Sequence, residues 1–429
     1  MKLKYSLALS VALLGACSTS DKVSQPARAP VGDINAETLH DSILWSVRMP
    51  ANWNGTLLVH SRGWSPTAGQ PAVAPAQIGD ALLAQGYALA ASNYGAGGWS
   101  LKEAVPAQEE IIAAFSKRYG KPKRVLGFGY SMGGLVTTAL AERARPKIDG
   151  GISFCSSMGG ALGMMNTGLD GAFVFRTLVA PDAGIKVVNI DNDQTNGALV
   201  RTAVEAAVKT PAGRARIALA GVFGGIPGWT RPNMPQPAAD DAEAQFEQII
   251  GAFPGGVFLP RTEQEQRAGG NFSWNDGIDY TALLQQSGRR SLIEALYRKA
   301  GLSLEADLAT LAAAPRIRAE ARAVEYMRNY YTPFAAPKVP LLAVQAFGDG
   351  TTSPSLQRTY AENAPANMMD SQYVQRAGHC SFSVEETLAS VKQLEARLDS
   401  GKWPPRAPPF VAHQPAPMLR PCFQGKSCK

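Results

Sequence analysis

From Asp41 onward the apolar residues come in short runs separated by longer stretches of helical periodicity. The short runs predict strands at Ile43–Met49, Thr56–His60, Tyr87–Ser92, Arg124–Gly129, Gly151–Phe154, Leu341–Ala346 and Gln372–Gln375. Between them the spacing predicts helices at Ala76–Gln85, Pro106–Tyr119, Met132–Ala144 and Val384–Leu398. The last of these opens on Ser383, an N-cap, with Glu385 and Glu386 in its first turn. Strands alternating with helices predict an α/β fold, a mostly parallel central sheet flanked by helices. Between Met158 and Lys338 the rhythm breaks into helical runs alone: Gly168–Val179, Gly197–Lys209, Ala212–Val222, Ala242–Ala252, Arg290–Ala300 and Leu304–Tyr331. The expectation is one discontinuous core, residues 41–157 and 339–401, with a large helical cap (158–338) inserted after the strand Gly151–Phe154. Residues 402–429 are Pro-rich and read as an extended tail along the surface.

Composition narrows the classes. The 42 Gly and 30 Pro are about 17% of 429 residues, below the level of low-complexity chains. No apolar run reaches the ~20 residues a membrane span needs, and neither an internal repeat nor a heptad run is present. The net charge of +7 is spread along the chain with no block of Lys/Arg, so no nucleic-acid partner is expected.

The first segment reads as an address. Lys2 and Lys4 precede an apolar stretch, Tyr5 to Ala16, of signal-peptide length. It ends in Leu14-Gly15-Ala16-Cys17, which resembles the lipobox of bacterial lipoproteins. That resemblance implies cleavage after residue 16, lipidation of Cys17, a tether over 17–40 and attachment to a bacterial membrane. Ser18 after the Cys implies the outer membrane, facing the periplasm or the cell surface. An ordinary cleaved signal with a chance Cys is the alternative. Export permits disulfides. Cys155, Cys380, Cys422 and Cys428 then allow three connectivities, and sequence does not choose among them. Cys422 and Cys428 could close a small loop, and Cys155 and Cys380 both fall at strand ends; two buried free thiols are the other reading.

The candidate chemistry begins at Gly129-Tyr130-Ser131-Met132-Gly133-Gly134, a G-x-S-x-G string. The strand pattern running into it and the helix pattern leaving it are the context of a nucleophile elbow, which lifts the Ser131 hydroxyl out of the sheet. A serine needs a base. Of His40, His60, His379 and His413, His379 follows a late strand and precedes the final helix, where a loop can aim it at Ser131; His60 is the runner-up. The imidazole needs an acid to fix its tautomer. Asp349, in Phe347-Gly348-Asp349-Gly350, follows its own strand and completes the order Ser, Asp, His; Asp191 and Asp193 are alternatives inside the cap. No Cys/His cluster has zinc-like spacing and no dinucleotide fingerprint occurs, so neither metal nor cofactor is expected.

On these motifs the chain resembles an α/β-hydrolase over roughly Asp41–Ser157 and Pro340–Ser400. The resemblance implies an oxyanion hole of two backbone amides. One is that of Met132; the other comes from the loop His60-Ser61-Arg62-Gly63-Trp64, where Trp64 is the expected donor although Arg62 departs from the usual His-Gly pattern. It implies a serine hydrolase, with small-molecule or polymeric carboxylic esters as the first choice of substrate. A serine peptidase of prolyl-oligopeptidase type shares the triad order, although no propeller repeat is visible. A non-catalytic lipoprotein using the fold as a binding platform is the third reading. The cap's aromatic residues, Phe173, Phe175, Trp229 and Trp274 among them, would build its own core or line an acyl pocket.

Overall fold

A computed structural model describes residues 32–426 and Cys428. The signal segment 1–16, Cys17 and most of the tether lie outside the described residues. The sheet has eight strands: β1 Ile34–His40, β2 Ile43–Arg48, β3 Thr56–Ser61, β4 Ala88–Ser92, β5 Arg124–Tyr130, β6 Gly150–Phe154, β7 Leu341–Gly348 and β8 Met369–Ala377. Their spatial order is β1-β2-β4-β3-β5-β6-β7-β8. β2 runs antiparallel to both of its neighbours, β1 and β4, and every pairing from β4 to β8 is parallel. The helices are α1 Ala76–Ala84, α2 Leu101–Tyr119 and α3 Met132–Ala141, then α4 Gly160–Leu178, α5 Asp193–Ala207, α6 Pro211–Phe223, α7 Ala242–Val257 and α8 Thr262–Ala268. They continue with α9 Tyr280–Gln286, α10 Arg290–Ala300, α11 Leu304–Ala313, α12 Ala321–Tyr331, α13 Pro354–Asn363 and α14 Val384–Ser400. This is the α/β-hydrolase fold, and α4–α12 are the cap between β6 and β7.

Period-2 alternation decides which face each strand residue serves. Leu126 and Phe128 of β5 pack with Ile78 and Leu82 of α1 and Val391 and Leu394 of α14. Gly127, between them, points to the other face, where a Cβ would lie 3.3 Å from Ile148 and 3.4 Å from Thr137 of α3, a tight fit. Each such large apolar side chain, fully buried, contributes about 1.5–3 kcal/mol. The cap has its own core, in which Phe173, Phe175, Phe223 and Phe253 are fully buried.

The structure corrects several expectations. Ile34–His40, assigned to the tether, is an edge strand on β2. The long helix expected over Leu304–Tyr331 is two helices, α11 and α12. Pro315 drives Ala314 to ψ 145°, extended, because its ring clashes with a helical predecessor. The short helices α8 and α9, and α13 in the core, were not expected. The tail is extended but not superficial. Val411 pairs with Tyr373 of β8, and Phe410, Met418, Leu419, Cys422 and Phe423 are buried. Arg420, also buried, bonds the carboxylate of Asp170 on α4 at 2.8 Å, so the tail fastens the core's edge to the cap.

Candidate active site

Ser131 stands between β5 and α3 with φ 57° and ψ −123°, a strained positive-φ conformation that costs a non-glycine residue on the order of 1–3 kcal/mol. The surroundings hold it there. Its amide donates to the Phe154 carbonyl of β6 at 3.0 Å. The glycines of the motif are required by contact: a Cβ on Gly129 would lie 2.2 Å from the Gly133 carbonyl oxygen, and one on Gly133 would lie 2.0 Å from that of Ser61. β3, β5 and α3 therefore meet backbone to backbone, and the hydroxyl is pushed out of the sheet.

The three expected side chains converge. Ser131 Oγ lies 3.0 Å from His379 Nε2. His379 Nδ1 lies 2.8 Å from Asp349 Oδ2 and 3.0 Å from Oδ1. Asp349 is fully buried, and its Oδ1 accepts the amides of Thr351 and Thr352 at 2.9 Å each. An ionised carboxylate only accepts, so Nδ1 carries the proton and Nε2 is free to accept from the serine. Gly348 and Gly350 do not have positive φ; they are there because the cap presses on this loop. A Cβ on Gly348 would meet the Trp229 carbonyl at 2.4 Å, and one on Gly350 the Ala252 side chain at 2.5 Å.

Two features around the acid escaped the sequence reading or were left open by it. The Thr352 hydroxyl lies 2.7 Å from the Cys155 carbonyl, 2.9 Å from Asp349 Oδ2 and 3.2 Å from His379 Nδ1. Its one proton is placed to be donated to the Cys155 carbonyl or to Asp349, which ties the acid loop to the end of β6. Cys155 and Cys380 form a disulfide with Cα atoms 5.3 Å apart, linking the residue after β6 to the residue after His379. Cys422 and Cys428 are also joined. Among the described residues, Cys155, His379 and Cys380 are the one group of three potential metal ligands, their ligand atoms within 4.8 Å of one another. With the two sulfurs bonded to each other they are not thiolates. The run Asp349-Gly350-Thr351-Thr352 was the signal for Thr352, since such a turn folds its own amides onto the carboxylate.

The remaining candidates separate from the site. His60 is buried, its Nδ1 2.5 Å from the Ala72 carbonyl and its ring against Phe128 and Tyr130; burial pushes its pKa down to about 4. His40 pairs with Glu110 on the surface, and His413 stacks on Phe347. Asp191 pairs with Lys186, and Asp193 accepts the amides of Arg261 and Thr262. Of the expected amides, that of Met132 heads α3, where the first N–H groups have no partner within the helix. Trp64 is 44% exposed beside Gly63, whose Cβ position would lie 3.4 Å from Ser131 Cβ. Arg62 turns away from the hydroxyl. Its guanidinium lies over Tyr94 and bonds the Gly63 and Ala96 carbonyls, which braces the loop.

Such an arrangement can take the proton of a serine hydroxyl as it attacks a carbonyl and hold the imidazolium that results. No family model matches the chain. It is 31% identical over 409 residues to o-phthalyl amidase of Xanthobacter agilis, covering 86% of this chain and 88% of the relative. Among solved structures it is similar to proline iminopeptidase of Mycobacterium smegmatis, at 13% identity and TM-score 0.39 over 86% of this chain and 100% of that one. It is also similar to Est1E of Butyrivibrio proteoclasticus, at 11% identity and TM-score 0.38 over 86% and 100%. The chain is a hydrolase of the α/β-hydrolase fold and belongs to the family of the o-phthalyl amidase.

Proposed function

We propose that the protein is a serine hydrolase that cleaves carboxylic ester and amide bonds through an acyl-Ser131 intermediate. The observation that carries this reading is the unbroken chain of contacts from Ser131 Oγ to His379 Nε2 at 3.0 Å and from His379 Nδ1 to Asp349 at 2.8 Å. Ser131 attacks the acyl carbonyl while His379 takes its proton. The amides of Met132 and Trp64 stabilise the oxyanion; losing one such donor costs about 3–4 kcal/mol of barrier. His379 then hands the proton to the leaving group, and a water activated by the same imidazole releases the acid.

The sequence alone favoured esters. The relative's name favours an amide of an aromatic acid that carries a second carboxyl. The two fit one site, because the nitrogen of an amide leaves only once it is protonated, which makes an amide harder to cleave than the matching ester. A centre that expels the amine from an acyl group also expels the alcohol from the matching ester. The Leu14-Gly15-Ala16-Cys17 motif supports a lipid anchor that holds this chemistry at a membrane surface.

A matched pair tests the bond class: the p-nitrophenyl ester and the p-nitroanilide of one aromatic acid. Turnover of both, lost in Ser131→Ala, is expected. Ester turnover alone would narrow the function to esterase; turnover of peptide anilides in their place would make it a peptidase. Turnover that survives Ser131→Ala would overturn the reading.

A further inference from the structure

Away from the triad, a cavity of about 310 Å³ lies between the cap and the C-terminal tail. It touches the acid-bearing loop on its far side, at Phe347 and Ser353, but none of Ser131, Asp349 and His379 lines it. Its volume sits at the lower end of the roughly 300–1,000 Å³ of small-molecule sites. Flat side chains form part of its wall: Trp229 from the cap, and Phe347 and His413, whose rings stack with centroids 3.8 Å apart.

One charged side chain lines this cavity, Arg289 at the head of α10. The two fully buried arginines among the described residues have carboxylates, Arg420 with Asp170 and Arg261 with Glu265, whereas Arg289 is half-buried and has none. It donates to the Ile226 carbonyl at 2.5 Å and to the Gln245 side-chain oxygen at 3.4 Å, and its other N–H groups meet no acceptor among the described residues. No Asp or Glu among the described residues lines the cavity. Burial acting alone holds the Arg289 pKa down to about 10. The first turn of α10 adds no acidic side chain and no side-chain cap, so its helix dipole reinforces the positive charge. A half-buried cation without a counter-ion favours an anionic partner, and a guanidinium fork matches a carboxylate with two parallel hydrogen bonds.

We infer that this cavity is a binding site for a small aromatic carboxylate, its carboxylate held by Arg289 and its ring by Trp229, Phe347 and His413. The inference does not depend on the acyl chemistry at Ser131. The lining residues all belong to one chain and exclude Ser131, Asp349 and His379, so occupancy of the catalytic serine leaves the cavity free.

Isothermal titration of the full chain with benzoate, after Ser131 has been blocked by a fluorophosphonate, tests this. One-to-one binding is expected, weakened at least tenfold in Arg289→Gln and by a smaller factor in Arg289→Lys, which keeps the charge and loses the fork. Benzamide, the neutral isostere, should bind at least tenfold more weakly than benzoate. In the unmutated protein, benzoate should protect Arg289 from phenylglyoxal, read by peptide mapping, which removes any dependence on how the variants fold. The inference is overturned if benzoate does not bind, if Arg289→Gln binds it equally, if benzamide binds as well, or if blocking Ser131 abolishes binding.

Discussion

The core and the cap are held together by different means. At the site end of the core, backbone meets backbone: the carbonyls of Gly133 and Ser61 leave no room for a Cβ on Gly129 or Gly133, and amides of Thr351 and Thr352 clasp the acid. In the cap the fixed points are side chains. Aromatic rings fill its centre, and ion pairs tie its segments together: Arg216 of α6 joins Asp307 of α11 at 2.7 Å, and Arg420 of the tail joins Asp170 of α4. Backbone geometry tolerates almost no displacement, so it suits the reacting groups. Side-chain packing admits substitution, so it suits the part that shapes a ligand's surroundings. The difference predicts that core changes near the site remove chemistry at little cost in stability, whereas cap changes alter stability or binding with the chemistry left in place.

The largest effect is expected at the triad. Ser131→Ala should lower kcat/KM by about 10⁴–10⁶-fold, and Asp349→Asn by about 10⁴-fold, with thermal unfolding within a few degrees of the parent. Steady-state kinetics beside calorimetry checks this, and a triad variant that unfolds would erase the contrast drawn here. Next comes the cap's seam. Arg420→Met leaves Asp170, whose carboxyl burial already raises, without its charged partner. Urea titration at pH 7 should show a loss of about 3–5 kcal/mol, with turnover per folded molecule changed less than tenfold.

His60 supplies a core change that acts on stability through pH. Its pKa falls from 6.5 to about 4 on folding because burial disfavours the charged ring. The native state therefore binds fewer protons than the unfolded chain between those values. The stabilisation is fully present above pH 6.5 and is lost as pH falls toward 4. At pH 4.5 that loss amounts to about 2–3 kcal/mol. Chemical denaturation at pH 7 and pH 4.5 should show that drop in the parent and a correspondingly shallower one in His60→Asn. Equal slopes would mean that the ring is not enclosed. The smallest effect belongs to Thr352→Val. It removes the hydroxyl that ties the acid loop to the Cys155 carbonyl, and kcat should fall by about tenfold with KM unchanged. Thr352→Ser should restore the rate. A KM effect would mean that Thr352 shapes the pocket rather than positions the acid.

The same contrast explains what could be read from the chain beforehand. The elbow was legible because steric exclusion writes itself as glycine at fixed spacing. The late His and Asp were legible because each follows a strand. β1 was not legible: Ile34–His40 is an edge strand with Glu37 and Thr38 outward, so it lacks a sustained apolar alternation. Helix α13 opens on Ser353-Pro354, a cap followed by proline at the first helical position, and that signal was present but unused. The joint between tail and cap was hidden, because nothing local to Arg420 announces a carboxylate 250 residues earlier. The unpaired Arg289 was hidden for the opposite reason: one lacking partner is visible only when every neighbour is in place.

The claim on which the rest stands is that His379 makes the Ser131 hydroxyl a nucleophile. Treating the protein with a fluorophosphonate and mapping the adduct by peptide mass spectrometry measures that directly. One covalent adduct per chain, on Ser131, formed rapidly in the parent and at least a thousandfold more slowly in His379→Ala, is the expected result. An adduct on another residue, or labelling of Ser131 at an equal rate without His379, would contradict it.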